Sequence, residues 1–211
     1  MPSLKHSRWI ISLKVSNDSS ILSIMRIAIT GGIGSGKSYV CQRLRERGID
    51  VYDCDAGAKR LMGSSEDIRN GMISLIGDDA YDGWVLNKPV VTRFLLESES
   101  NKLAINAIVH PAVIHDFYDS GLQWMESAIL YEAHLEHTVD RVVCVVAPED
   151  VRIDRVVKRD SVSRERAKQW IDAQFSQEEV AQRADAVIIN DGVKSVDEQL
   201  DKVLILFGIE Y

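Results

Sequence analysis

The stretch Gly31-Gly32-Ile33-Gly34-Ser35-Gly36-Lys37-Ser38 has the G-x-x-x-x-G-K-[ST] spacing of a loop that cradles a phosphate chain. Its glycines let the backbone curl without side-chain clashes, so that successive N–H groups point at one anion. In such a loop Lys37 reaches the β- and γ-phosphates and the Ser38 hydroxyl ligates Mg²⁺. Two further groups suit the same chemistry. In Asp53-Cys54-Asp55, Asp55 can orient or deprotonate an attacking hydroxyl, or else cap the helix that follows, while Asp53 can instead cap that helix. Arg152, Arg155, Lys158, Arg159, Arg164, Arg166 and Lys168 crowd an otherwise acidic chain. They read as a closing lid that brings arginines onto a migrating phosphoryl group, or as a solvated face paired with Asp154, Asp160 and Glu165. Once the phosphate loop is granted the lid is favoured, with Arg159 first and Arg155 and Arg164 behind it.

The elements that must position these groups follow from periodicity. A β-branched strand, Arg26-Ile27-Ala28-Ile29-Thr30, precedes the loop. A helix with Val40 and Leu44 on one face follows it and adds its positive N-terminal end. Asp50 to Asp53 is the second strand, and strand ends are where open α/β sheets hold ligands. Lys59 and Arg60 lie on the next helix, able to meet an anionic acceptor or to form a solvated face. Residues 64–124 read as mainly helical, with one helix expected to start at Pro111. His110, just before it, is either a structural hydrogen-bonder or an acceptor contact. A strand is expected over Ser127 to Tyr131, flanked by Glu126 and Glu132. Glu132 either reaches Mg²⁺ through water or is a loop charge. Further strands are expected over Asp140 to Val146 and Ala184 to Asn190. The turn Asn190-Asp191-Gly192 can line an adenine pocket through its backbone, although turn chemistry explains the same residues. A closing helix runs from Ser195 to Phe207.

At 211 residues and a formal charge of -7, the chain supports one α/β domain with a sizeable core and gives no support for general nucleic-acid binding. Three cysteines, Cys41, Cys54 and Cys144, have no metal spacing and cannot all pair, which points to a reducing, cytoplasmic setting. No apolar run approaches membrane-spanning length. Residues 1–24 read as a loose extension ahead of a domain that begins near Met25.

From Met25 onward the ordered set of motifs resembles the dephospho-coenzyme A kinase family. The resemblance rests on Ile29 through Ser38, Asp53-Cys54-Asp55, His110-Pro111-Ala112-Val113, Glu126 through Glu132, Val146-Ala147-Pro148, Arg155 through Asp160, Ser163-Arg164-Glu165, Gln174 and Asn190-Asp191-Gly192. It implies an α/β P-loop fold of the nucleoside-monophosphate-kinase type: a parallel five-stranded sheet, a helical acceptor region over about 55–125 and a lid over about 152–183. It implies transfer of the ATP γ-phosphoryl to the ribose 3′-hydroxyl of dephospho-CoA, with ATP and Mg²⁺ required. A monomer is expected, with an oligomer left open. Asp55, Lys37 and Arg159 match catalytic positions. Gly32, Ile33, Gly34, Ser35, Gly36, Lys37, Ser38, Tyr39, Arg159 and Asn190 match nucleotide contacts, and Ser38 the metal contact. Asp53, Asp55, Lys59, Arg60 and His110 fall on the acceptor side. Tyr39 replaces a second hydroxyl residue frequent after the loop, and Tyr131 to His134 departs from the family pattern. A small-molecule kinase of the same architecture with another acceptor fits the same motifs. A GTPase switch does not, since neither Asn87-Lys88 nor Asn101-Lys102 has the aspartate two places on.

Overall fold

A computed structural model describes residues 25–210; the extension expected over residues 1–24 lies outside them. In chain order the elements are β1 (Ile27–Thr30), α1 (Lys37–Arg45), β2 (Val51–Asp53), α2 (Cys54–Ser64), α3 (Glu66–Ile76), a short hairpin of β3 (Tyr81–Asp82) and β4 (Val85–Leu86), α4 (Lys88–Glu97), α5 (Glu99–Asp119), β5 (Trp124–Glu126), β6 (Arg141–Val146), α6 (Glu149–Asp160), α7 (Arg164–Asp172), α8 (Gln177–Arg183), β7 (Ala186–Ile189) and α9 (Val196–Leu206). Five strands form one sheet in the order β2-β5-β1-β6-β7, and every pairing is parallel. A parallel sheet buries both faces under helices. Accordingly β1 is buried at all four positions.

Alternation along the strands divides the core in two. Ala28, Tyr52, Met125, Val142 and Cys144 face a cluster completed by Ile68, Met72, Val113 and Phe117 of the helical region. Ile27, Ile29, Val51, Trp124, Val143, Val145 and Ile188 face the opposite way, onto Val40 and Leu44 of α1 and Leu200 and Leu204 of α9. Ile153, Val156, Ala167 and Ile171 form a third, small cluster that joins α6 to α7. Ser161 closes α6 in the left-handed region at φ 54°, and Ser163 caps α7 by accepting from the Arg166 N–H. The arginine-rich stretch is therefore a helical hairpin with its own apolar seam.

Two sequence expectations are corrected. The strand expected over 127–131 lies three residues earlier. Trp124, Met125 and Glu126 pair with Ile27, Ala28 and Ile29, and Trp124 and Met125 are fully buried. After the Ser127 N–H bonds the Ile29 carbonyl at 3.0 Å, the chain winds into turns closed by Ala133 N–H on Ile129 and Leu135 N–H on Leu130. Here burial and register override the strand propensity of Ile129-Leu130-Tyr131. Nor does a helix begin at Pro111. It lies inside the 21-residue α5, which buries Ile105, Val109, Val113, Ile114 and Phe117 along one stripe; that continuous stripe outweighs one missing hydrogen bond.

Gly57 lies where the second strand is tied to α5. A Cβ there would lie 2.2 Å from the Tyr52 hydroxyl, and that hydroxyl donates to Asp116 Oδ2 of α5 at 2.6 Å. Gly57→Ala should therefore destabilise, despite its better helix propensity. Overpacking costs roughly 1–3 kcal/mol, against a propensity gain of about 1 kcal/mol. Thermal denaturation should show Tm falling by up to about 8 °C; a higher Tm would show that Tyr52 relaxes freely.

All three cysteines are buried free thiols. Burial raises each thiol above its ordinary range, Cys54 and Cys144 to about 12. Because the thiolate is the reactive form, iodoacetamide at pH 8 should leave the native protein unmodified. Three carbamidomethyl groups should appear by mass after unfolding in denaturant.

Candidate active site

The phosphate loop runs from the end of β1 into the first turn of α1. Gly31, Gly34 and Gly36 take φ values of 143°, 78° and 95°, which side chains disfavour. Neighbours also press close: a Cβ on Gly31 would lie 2.2 Å from the Val145 carbonyl oxygen, and one on Gly34 would lie 2.6 Å from that of Arg152. Side chains from distant parts of the chain hold the loop through its backbone groups. Asn190, only 7% exposed, donates from Nδ2 to the Ser35 carbonyl at 3.0 Å. Arg155 donates to the carbonyls of Gly34 and Ser35 at 3.2 and 3.1 Å, and to the Asn190 carbonyl at 3.1 Å. Arg152, 4% exposed, donates from Nε to the Ile33 carbonyl at 2.9 Å. Gln174 accepts from the Ile33 N–H at 2.7 Å.

In front of the loop lies a cleft of about 720 Å³. Four structural sources line it: Ile33, Gly34, Gly36, Lys37 and Ser38 of the loop and α1, Asp55 of α2, Glu126 and Ala128 at and after the end of β5, and Arg155, Lys158 and Arg159 of α6 with Gln174 just after α7. The sheet order explains the meeting. Because β5 separates β2 from β1, the carboxyl ends of all three deliver Asp55, Glu126 and the loop to one edge. Lys37 Nζ bonds the Gly31 carbonyl at 2.9 Å. Burial pushes its ammonium below the ordinary lysine range, and the negative charges of Glu126 and Asp55 oppose that shift. Ser38 Oγ donates to Glu126 Oε1 at 3.2 Å. Arg159 holds a bidentate pair with Asp160, at 3.0 and 2.7 Å, which raises its already high pKa.

Of the residues singled out from sequence, Ile33, Gly34, Gly36, Lys37, Ser38, Asp55 and Arg159 meet in this cleft. Gly32 and Ser35 lie in the loop itself, with Ser35 fully buried. Asn190 stands behind the loop, and Tyr39 is 47% exposed on α1. Asp53 caps α2, accepting from the Ala56 N–H at 2.9 Å. Arg60 pairs with Asp116, and Lys59 is exposed on the same helix. His110 lines a different cavity, against α5. Arg164 pairs with Asp150 and Asp154 and takes no part in the cleft lining. Glu132 accepts from the Phe175 N–H at 3.2 Å.

Sequence reasoning underrated three residues. Glu126 was hidden by the misplaced strand: a strand ending at 126 puts that carboxylate, not Glu132, at the sheet's ligand-binding edge. Arg152 and Gln174 act through backbone groups of the loop, and a contact across 119 or 141 residues of chain leaves no local pattern.

A parallel sheet, a glycine loop opening a helix, and a carboxylate with cations of the helical hairpin facing that loop define a P-loop kinase. A family model, CoaE dephospho-CoA kinase, matches residues 25–195, and the chain belongs to the dephospho-CoA kinase family. The dephospho-CoA kinase of Bacteroides fragilis (strain YCH46) is 38% identical over 187 residues, covering 83% of this chain and 89% of that protein. The crystal structure of TT1252 from Thermus thermophilus matches with a TM-score of 0.76 at 30% identity, covering 87% of this chain and 97% of that one. The dephospho-CoA kinase structure from Campylobacter jejuni shares the fold, with a TM-score of 0.58 at 17% identity, over 86% of this chain and 96% of that one.

Proposed function

We propose that this chain phosphorylates the ribose 3′-hydroxyl of dephospho-CoA with ATP, giving coenzyme A, and that Asp55, Lys37 and Arg159 carry the reaction. The observation that supports this assignment most directly is the meeting of Asp55, from the second strand's end, with Lys37 and Arg159 across one cleft. The loop N–H groups and Lys37 bind the triphosphate. Asp55 accepts a hydrogen bond from the attacking hydroxyl, aligns it and takes its proton as the bond to phosphorus forms. Arg159 balances charge on the migrating group while the hairpin excludes water. Arg155 and Arg152 hold the loop through its backbone carbonyls.

Mg²⁺ fits the oxygen donors present, Ser38 Oγ and Glu126. Among the described residues no group of three or more His, Cys, Asp or Glu side chains could hold a metal. Few protein ligands suit Mg²⁺, which keeps water and takes phosphate oxygens. When bound, it neutralises charge on the β- and γ-phosphates. Glu126→Gln should raise the Mg²⁺ concentration for half-maximal activity at least tenfold while leaving the fold intact; an unchanged Mg²⁺ titration would remove Glu126 from the metal site. Among the described residues no helix is long and apolar enough to cross a membrane, and the free thiols support a reducing compartment such as the cytoplasm.

The test is ATP consumption with Mg²⁺, comparing dephospho-CoA with nucleoside monophosphates, sugars and shikimate, and locating the new phosphate in the product. Turnover confined to dephospho-CoA, with phosphate on the 3′ oxygen, is expected. Turnover with a different acceptor only would overturn the substrate.

A further inference from the structure

Gln174, just after α7, differs from two other glutamines that bond the backbone. Gln177 accepts from the Ala147 N–H and donates to the Ala147 carbonyl, both at 2.9 Å. Gln199 does the same at Ile189, at 2.8 and 2.9 Å. In each case one residue's N–H and C=O satisfy both ends of a carboxamide. Gln174 begins the same pairing, with Oε1 accepting from the Ile33 N–H at 2.7 Å. It does not complete it, because Arg152 Nε takes the Ile33 carbonyl at 2.9 Å. Gln174 Nε2 is left with no hydrogen-bond partner among the described residues. The side chain that carries it lines the cleft with Lys37 and Arg159.

We propose that Gln174 Nε2 donates a hydrogen bond to the terminal phosphoryl group of bound ATP, so that Gln174 contacts the group being transferred. The inference rests on the kinase reading above and adds one residue to its phosphate site.

The orientation of the amide follows from its anchor. A backbone N–H needs an acceptor, so the carboxamide turns its oxygen to Ile33 and its nitrogen away. The anchor is itself fixed. The Ile33 N–H and carbonyl are both bonded, its side chain packs on the apolar seam of the hairpin, and Arg152 is 4% exposed. A donor held in place beforehand loses little freedom when a ligand arrives. Its position selects the end of the triphosphate. Lys37 Nζ bonds the Gly31 carbonyl at 2.9 Å and lies 3.5 Å from that of Gly32, the part of the loop from which the lysine reaches the β- and γ-phosphates. Gln174 stands at the same part: its Oε1 lies 3.4 Å from where a Cβ on Gly32 would sit. Lys37, Arg155, Lys158 and Arg159 make the cleft favourable to an anion, and an N–H donated to an anionic oxygen is among the stronger hydrogen bonds.

Gln174→Glu tests the donor by itself. The variant keeps an acceptor for the Ile33 N–H and puts a carboxylate oxygen where the free N–H was. By calorimetry with Mg²⁺ and no acceptor, Kd for ATP should rise at least tenfold. Kd for ADP, which lacks the terminal phosphoryl group, should stay within threefold. Gln174→Met, which removes donor and acceptor together, carries the same test should the first variant fail to fold: the ratio of Kd for ATP to Kd for ADP should still rise at least fivefold. An equal loss of affinity for both nucleotides would assign Gln174 to shaping the loop and overturn the contact. Unchanged affinity for both would overturn it as well, and in either case the kinase reading stands. A wild-type protein that binds neither nucleotide would instead remove the site beneath the proposal.

Discussion

Asp55→Asn should lower kcat by about 10²–10⁴, the usual worth of a positioned acid–base group, with ATP affinity close to wild type. The asparagine keeps the size and the helical position but can no longer take the hydroxyl proton. Asp55 lies in the first turn of α2, yet the capping hydrogen bond comes from Asp53. That division of labour separates structure from chemistry: Asp53→Ala, which removes the capping oxygen, should act on stability, Asp55→Asn on turnover. Steady-state kinetics with both substrates, together with ATP binding by calorimetry, make the measurement. Turnover within threefold of wild type would exclude Asp55 as the base. A loss of ATP affinity equal to the loss of kcat would show that Asp55 acts on the nucleotide side instead.

Lys37→Met should be comparably severe for a different reason. Removing one preorganised donor from a site of developing charge costs about 10²–10³ in rate, and in the proposed role the same ammonium also binds the ground-state phosphates. Both kcat and the KM for ATP should therefore suffer, unlike in the Asp55 variant. The fold should not. Lys37 is 8% exposed, and its charge is held in the loop against a desolvation cost. Methionine keeps the apolar stem and removes the buried charge, so Tm should hold or rise slightly. Near-normal kinetics would contradict the nucleotide site. A collapse in Tm would mean that the Lys37 bond to the Gly31 carbonyl shapes the loop.

The helical hairpin shows both how far sequence reasoning reaches and where it stops. Clustered arginines in an acidic chain marked the region, but charge by itself did not sort its members. In the structure Arg152 and Arg155 point to loop carbonyls, Arg159 lines the cleft, and Arg164 turns to Asp150 and Asp154. The helical period places residues 152, 155 and 159 within reach of one face. Which face meets the phosphate loop depends on the packing of Ile153 and Val156 against Ala167 and Ile171. His110 behaves likewise: the sequence marked the His110-Pro111 pair, and only the packing of α5 beside the segment 132–138 put that histidine in a groove rather than in the cleft.

What the sequence by itself determined is local: the phosphate loop, whose glycines encode positive φ and whose Lys37-Ser38 pair has little other use; the strand–loop–helix around it; and the carboxylate after the second strand. Each is a relation between residues a few positions apart. Only the tertiary structure decided that β5 ends at Glu126, that the sheet order brings three strand ends to one edge, and that Arg152, Arg155, Gln174 and Asn190 brace one loop. Those relations span up to 155 residues of chain, and burial on both faces of a parallel sheet fixes them. Strand register there is set by which side chains fill the core, which no short stretch of sequence states.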